Sequence, residues 1–173
     1  DDLQSDFLLP NGLVSTRNVG DGRIFGAEAS ADWRVARGWR LSAGLSVQNG
    51  KLTKSAPGIH LENRRLPIAP DATARLVIAH DFTLGPWAGL LEAQGNYIGR
   101  TRLALDNLLD RKMGDYAVVS TSASISRHGW TLAARIDNLL DIRGDSFAFG
   151  NPFSIMAGKQ FTPLRPRTFT LSV

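Results

Sequence analysis

The stretch Pro86–Arg100, PWAGLLEAQGNYIGR, decides how the rest of the chain is read. Its alternate positions Trp87, Gly89, Leu91, Ala93, Gly95 and Tyr97 are apolar or aromatic, and Glu92, Gln94, Asn96 and Arg100 stand between or beyond them. In a strand, successive side chains point to opposite faces, so this stretch has one apolar face and one wet face. Trp87 and Tyr97 close the apolar face at its two ends. Ten residues at roughly 3.3 Å each, tilted by roughly 40°, span about 25 Å along a membrane normal. That is the height of the apolar band on an outer-membrane barrel, whose rims carry Trp and Tyr.

The same alternation extends to both sides. Toward the N-terminus, Phe25, Ala27, Ala29, Ala31, Trp33 and Val35 oppose Glu28, Ser30, Asp32 and Arg34. Trp39, Leu41, Ala43, Leu45 and Val47 oppose Arg40, Ser42, Ser46 and Gln48, and Ile68, Pro70, Ala72, Ala74, Leu76 and Ile78 alternate with Asp71, Thr73, Arg75 and Val77. Toward the C-terminus, Ala117, Val119, Thr121, Ala123 and Ile125 alternate with serines at 120, 122, 124 and 126. Trp130, Leu132, Ala134 and Ile136 oppose Thr131, Arg135 and Asp137, and Phe169, Leu171 and Val173 alternate with Thr170 and Ser172. Residues 1–9 read as a short strand turned by Pro10-Asn11-Gly12, with Gly20-Asp21-Gly22 bending or bulging its partner.

Three features separate a membrane wall from a soluble sheet. None of the apolar-face positions is Asp, Glu, Lys or Arg, in a chain that is 21% charged. Tight connections near 36–38, 83–85 and 127–129 alternate with long ones near 50–67, 101–114 and 139–164, as short and long loops do on the two sides of such barrels. Each tight turn is followed at once by a tryptophan, Trp39, Trp87 or Trp130, and Trp33 precedes the first, which puts all four on one rim. Ordinary core anchors would be scattered along strand centres.

Composition removes other classes. No run of eighteen apolar residues exists, so no helix spans a membrane. The absence of cysteine removes disulfides and thiolate metal sites. The net charge of +4 and pI near 10.0 would suit nucleic acid, but the basic residues are scattered and no aromatic platform interleaves with them. The chain starts at Asp1, its methionines are Met113 and Met156, and it reads as part of a longer product.

No catalytic constellation is present: no Ser/His/Asp set or supported carboxylate pair can be placed. His60, His80 and His128 lack ligand spacing, and no cofactor or metal is expected. The repeated Asp-Asn-Leu-Leu-Asp at 106–110 and 137–141 offers carboxylates for an outer calcium ion, but Asn and Asp also end strands and start loops well, which is the favoured reading. A helical reading of residues 103–112 is open but short. Lys51, Lys54, Arg64 and Arg65 lie in or beside a long loop, where lipopolysaccharide phosphates, an anionic ligand or plain solvent would suit them.

Asn18-Val-Gly20 leading to Gly26-Ala-Glu28 and Trp33, Arg65-Leu-Pro67 through Pro70, Trp130-Thr-Leu132 to Asn138-Leu-Leu-Asp141, and Pro166-Arg-Thr-Phe169 together resemble the C-terminal part of a TonB-dependent outer-membrane receptor. The resemblance covers nearly all of residues 1–173. It implies an antiparallel up-and-down barrel of about 22 strands around a plug, of which this chain holds about eight strands. It further implies multi-pass residence in the bacterial outer membrane and contact with lipid and lipopolysaccharide. The plug and the TonB-contact segment lie outside this sequence, and energy comes from the TonB complex. The cargo is a small scarce nutrient, most commonly a ferric siderophore. The family usually ends on an aromatic, whereas this chain ends at Val173, which points to a cut.

The site expectations follow. Phe25, Trp33, Trp39, Trp87, Tyr97 and Trp130 form the membrane-interface girdles. Glu28, Asp32, Arg34, Arg40, Asp71, Arg75, Glu92, Arg135 and Asp137 face the lumen, chiefly pairing across strands. Two alternatives stay open: a small self-contained outer-membrane barrel acting as adhesin or structural protein, and a soluble carbohydrate-binding β-domain.

Overall fold

Period-two alternation builds strands, and in the computed structural model, which describes residues 3–147 and 162–173, no helix accompanies them. The strands are β1 (Leu3–Leu8), β2 (Val14–Ala36), β3 (Trp39–Ser55), β4 (Ala72–Leu84), β5 (Trp87–Ile98), β6 (Thr101–Arg102), β7 (Lys112–Met113), β8 (Tyr116–Arg127), β9 (Trp130–Asp137), β10 (Asp145–Phe147), β11 (Thr162–Pro163) and β12 (Thr168–Ser172). Eight of them form one antiparallel sheet in the order β1-β2-β3-β4-β5-β8-β9-β12. The pairs β6-β7 and β10-β11 are separate two-stranded ribbons within the long connections. The expected all-β meander of about eight strands is therefore present. The middle of the third long connection, 148–161, lies outside the described residues.

Three connections are two-residue hairpins whose turn chemistry matches their sequence. His128 and Gly129 both have positive φ (50° and 83°), the type I′ requirement. Gly85 has φ 57° ahead of Pro86, as a II′ turn needs, and Gly38 has φ 77°. The second turn is Gly85-Pro86 and not 83–85, because Thr83 and Leu84 stay paired with Ala88 and Trp87.

Two strand boundaries differ from the sequence reading. Asn49-Gly50 does not end β3, which runs on to Ser55 paired with Gly20–Ile24 of β2 on one edge and flanked by residues 64–66 on the other, where Leu52 N donates to Arg64 O at 2.7 Å and Leu66 N to Gly50 O at 3.0 Å. Ile68 and Pro70 do not open β4, which begins at Ala72. Ile68 has φ 55°, outside the strand region, and Pro70 has no N–H to give a ladder. Residues 103–112 are not helical; they form a single turn closed by Asp110 N on Asp106 O at 2.8 Å.

Gly20-Asp21-Gly22 bulges the ladder without breaking the strand. The register shifts between Asp21 and Gly22, leaving Thr53 as the extra residue on β3. Gly20 has φ 119°, and a Cβ there would run into the Lys54 carbonyl, so only glycine fits. β2 thereby reaches 23 residues, roughly 75 Å if fully extended, far more than a membrane needs. The β2–β3 hairpin stands well beyond the apolar band at its long-connection end.

The only compact apolar clusters among the described residues lie at that end. Val19, Leu52 and Leu105 pack with Leu3, Phe7 and Leu61, while Leu103, Ala104, Leu109 and Met113 pack with Leu8. Leu103, Ala104, Leu105 and Leu109 are buried, so this connection packs as core along most of its length, with Asn107 and Leu108 left exposed. Nearby, the Thr101 hydroxyl is buried with no hydrogen-bond partner among the described residues. Thr101→Val keeps the shape and removes that unsatisfied group. It is expected to be neutral or to stabilise by up to about 1 kcal/mol, measured as the urea midpoint of the refolded receptor. A clear loss would show that the hydroxyl has a partner.

On the sheet, Gly89 stands opposite Phe82, whose ring covers it. Gly89→Val would push the ring aside and forfeit a cross-strand pair, at a cost of about 1 kcal/mol. An unchanged urea midpoint would refute this.

Candidate functional site

The site is the wall itself, and register assembles its two faces. One continuous row crosses seven strands from Trp33 through Leu41, Ile78, Ala93, Thr121 and Ile136 to Phe169. The row one residue away runs from Arg34 through Arg40, Ala79, Glu92, Ser122 and Arg135 to Thr170. Every alternation read within a single strand thus joins its neighbours in phase. A one-residue slip in any ladder would have mixed the sets.

Neither face is covered by a second layer. Leu45, Leu76, Leu91, Leu132 and Leu171 are exposed on the apolar face, and Glu28, Ser30 and Asp32 on the other. What distinguishes the faces is chemistry. A contiguous apolar surface across seven strands is far larger than a soluble monomer leaves in water. The opposite surface is small and polar, with a trough of about 470 Å³ over Glu28, Ser30, Gly44, Ser46, Thr73, Arg75 and Asn96. A Cβ on Gly44 would meet nothing within 4 Å, so this face leaves room for a further body or for water.

The charges on the polar face are mostly engaged. Arg40 donates from Nη1 to Asp81 Oδ2 at 2.6 Å and from Nη2 to Asp81 Oδ1 at 3.2 Å. Ser42 donates to Asp32, its direct register partner, and Ser46 to Glu28 at 3.4 Å. Arg75 Nη2 donates to Gln94 Oε1 at 3.3 Å, and Arg135 Nε to Asp137 Oδ1 at 2.8 Å. Asp71 sits in the bend before β4, near Arg65 at 3.3 Å and Arg100 at 3.6 Å. Arg34, directly opposite Arg40, and Glu92 have no ion pair among the described residues.

Tryptophans mark the short-turn end. Trp39, Trp87 and Trp130 are each the first residue after a hairpin turn, and Trp33 lies three residues before the first turn. Trp39 stacks on His80 at 4.2 Å between ring centres, and the Arg127 guanidinium sits 5.8 Å from the Trp87 ring centre. Phe25 and Tyr97 lie toward the opposite, long-connection end.

At that end the long connections lean over the polar face. Leu66 side-chain atoms lie 3.2 Å from where a Gly22 Cβ would be, and Gly22 shares its phase with Glu28 and Ser30. The two Asp-Asn-Leu-Leu-Asp repeats are the fasteners. Asp106 accepts from Leu8 N at 2.7 Å and Leu108 N at 2.8 Å, and Asp110 accepts from Arg102. Asn138, at φ 50° and buried, bonds Ile142 N, Ile142 O and Arg165 O at 2.9 Å each, and Asp141 accepts from Arg167 N at 3.0 Å. Their side chains close loops, as Asn and Asp do. Among the described residues no three His, Asp or Glu side chains converge as metal ligands.

Asp81, the Arg102–Asp110 pair and the Arg111–Asp145 ion pair at 2.7 Å were not anticipated from the sequence. Asp81 carried a usable signal, since it continues the phase of Thr73 and Arg75. Its meeting with Arg40 depended on a register that the intervening connection conceals.

A two-faced open sheet with two-residue turns on one side and long connections on the other matches a family model. Residues 1–139 fit the TonB dependent receptor-like β-barrel model. The chain belongs to this family. TonB-dependent receptors are non-enzymatic and reside in the outer membrane, so the apolar face meets lipid.

Solved structures agree on the fold. The chain is similar to the ferric yersiniabactin uptake receptor FyuA from Yersinia pestis, with TM-score 0.73 and 22% identity over 91% of this chain and 24% of that one. It is similar to the siderophore receptor PiuA from Acinetobacter baumannii, with TM-score 0.71 and 20% identity over 91% of this chain and 22% of that one. A third similar structure is the copper transporter OprC, with TM-score 0.65 and 23% identity over 96% of this chain and 25% of that one. The chain therefore spans about a quarter of the length of the receptors it matches. Comparison with curated proteins gives no match.

Proposed function

We propose that this chain is the C-terminal part of the barrel wall of a receptor that takes up a scarce nutrient across the outer membrane with energy from the TonB complex. The cargo of this reading is a ferric siderophore, and the receptor's own plug fills the space beside the small polar face. The observation that carries it is the pair of in-phase rows: one without charge across seven strands, the other polar and too small to fill its own interior. One of the similar structures is a siderophore receptor by name and another a ferric yersiniabactin uptake receptor, which supports an iron-carrying cargo.

Phe25 and Tyr97 would then form one interfacial girdle and the four tryptophans the other, with lipopolysaccharide and phospholipid outside. Glu28, Asp32, Arg34 and Glu92 face the lumen, where Arg34 and Glu92 remain available to a plug. The self-contained barrel is not favoured, because β1 and β12 stand at opposite ends of the sheet and do not pair. β1 covers only residues 14–20 of β2, leaving the long edge beyond them for another strand.

Uptake tests the reading. Cells expressing the full-length receptor should accumulate radiolabelled ferric siderophore, and a strain lacking TonB should not. Equal accumulation in both strains would overturn it.

A further inference from the structure

At the long-connection end, β4 and β5 stay hydrogen-bonded past their own limits. Gly99 N donates to Ala72 O at 2.7 Å and Asp71 N to Arg100 O at 3.1 Å, so Arg100 stands opposite Asp71. Arg100 continues the phase of Gln94 and Asn96, and Asp71 that of Thr73 and Arg75, so both belong to the polar face. Arg65 reaches the same carboxylate from its connection at 3.3 Å, and Arg100 lies 3.6 Å from it. Both distances exceed the roughly 2.7–2.9 Å of a tight charge-assisted hydrogen bond. One carboxylate thus holds two guanidinium groups loosely and neutralises only one of them.

A cavity of about 350 Å³ opens between these two arginines and the β6–β7 ribbon, whose Arg102 and Lys112 also line it. Arg102 and Lys112 are direct register partners, and like charges so placed repel. Arg102 is committed to the buried Asp110, whereas Lys112 has no ion pair among the described residues. The one carboxylate on the lining, Asp115, accepts from the Tyr97 hydroxyl at 3.0 Å. The volume falls within the range of small-molecule sites, roughly 300–1,000 Å³.

We propose that this cavity binds a carboxylate arm of the cargo, and that the cargo is therefore an anionic metal chelate with at least one free carboxylate. This specifies the cargo of the uptake reading and rests on it. Arg65 and Arg100 already accommodate one carboxylate between them, and a planar carboxylate matches a guanidinium fork. A doubly charged phosphate would meet Asp71 and Asp115 at a larger like-charge cost. A neutral chelate would leave the Lys112 ammonium uncompensated, and a bare metal cation would be repelled by it.

The test uses the full-length receptor in nonionic detergent, titrated calorimetrically with ferric citrate, with a neutral ferric trihydroxamate and with inorganic phosphate. Ferric citrate should bind the wild type. Lys112→Gln should weaken that binding, and Arg100→Gln/Lys112→Gln should weaken it at least tenfold. Lys112→Gln breaks no ion pair among the described residues, so its effect is read in a folded receptor. Lys112→Arg should retain the affinity, since it keeps the charge. Arg37→Gln/Arg127→Gln removes as much charge at the short-turn end and should bind ferric citrate as the wild type does. Equal affinity in the wild type and Arg100→Gln/Lys112→Gln would overturn the site, and so would a wild type that does not bind ferric citrate. Tighter binding of the neutral chelate or of phosphate would overturn the carboxylate assignment. Each of these results would leave TonB-dependent uptake standing, and TonB-independent accumulation would leave the titrations unchanged.

Discussion

Leu91→Arg in the full-length receptor, refolded into lipid bilayers, is expected to lose about 2–4 kcal/mol of stability, and Gln94→Arg less than about 1 kcal/mol. The two positions are three residues apart on β5 and differ in face. Leu91, 46% exposed in this chain, pairs with His80 and Ala123 in the outward set. A guanidinium there must sit in hydrocarbon or drag headgroups and water toward it. Gln94 pairs with Val77 and Ser120 on the polar face and accepts from Arg75 at 3.3 Å. Its replacement by Arg loses that hydrogen bond and adds a neighbouring like charge, but in a hydrated or plug-facing setting. Urea unfolding of both variants in the same lipid decides the matter. Equal losses would mean that the faces are assigned the wrong way or that neither meets lipid.

Arg102→Met is expected to be the most damaging change in the outer connections. The Asp110 side chain is only 2% exposed, and Arg102 supplies it with two donors, Nε and Nη2. Ala104 N adds a third at 3.5 Å, too long to compensate. Removing the guanidinium leaves a buried carboxylate without a counter-charge, at a cost of about 3–5 kcal/mol. The loss should fall on residues 101–113, where Arg102 and Lys112 pair, and spare the membrane strands. Hydrogen exchange at Leu103, whose N–H is held by Arg111 O at 3.0 Å, should quicken, while exchange in β4 and β5 stays unchanged. Arg102→Met/Asp110→Leu should recover most of the protection, because it removes both charges together. Failure of the double variant to recover would place the cause elsewhere.

How much of this was legible beforehand follows from the range over which each feature is encoded. A strand face depends on the parity of neighbouring residues, so the outward sets from Phe25–Val35 to Phe169–Val173 were readable from a few consecutive side chains. Turn chemistry is equally local: His128-Gly129 announces a hairpin by residue type, the turn expected at 83–85 falls at Gly85-Pro86, and the tryptophans that follow the turns announce a rim.

Strand ends were less legible, because they depend on what lies alongside. β3 continues to Ser55 because Gly20–Ile24 of β2 pair with it on one edge and Arg64 and Leu66 return on the other, and no window around Asn49-Gly50 contains that fact. Ile68 continued the apolar alternation in sequence, yet its backbone turns left-handed where Ile68 N reaches Arg102 O at 2.8 Å.

Residue order alone was enough to read this chain as a succession of membrane-crossing strands with one uncharged face, because lipid imposes its condition on every strand separately. Tertiary structure alone decided which charges meet and where the apolar core lies. Arg40 finds Asp81, Arg102 finds Asp110, and Leu105 reaches Val19 and Leu52 across connections whose length carries no register information. Alternation within a strand is fixed by backbone geometry over two residues, whereas such meetings are fixed by how the whole wall curves and where its loops come to rest.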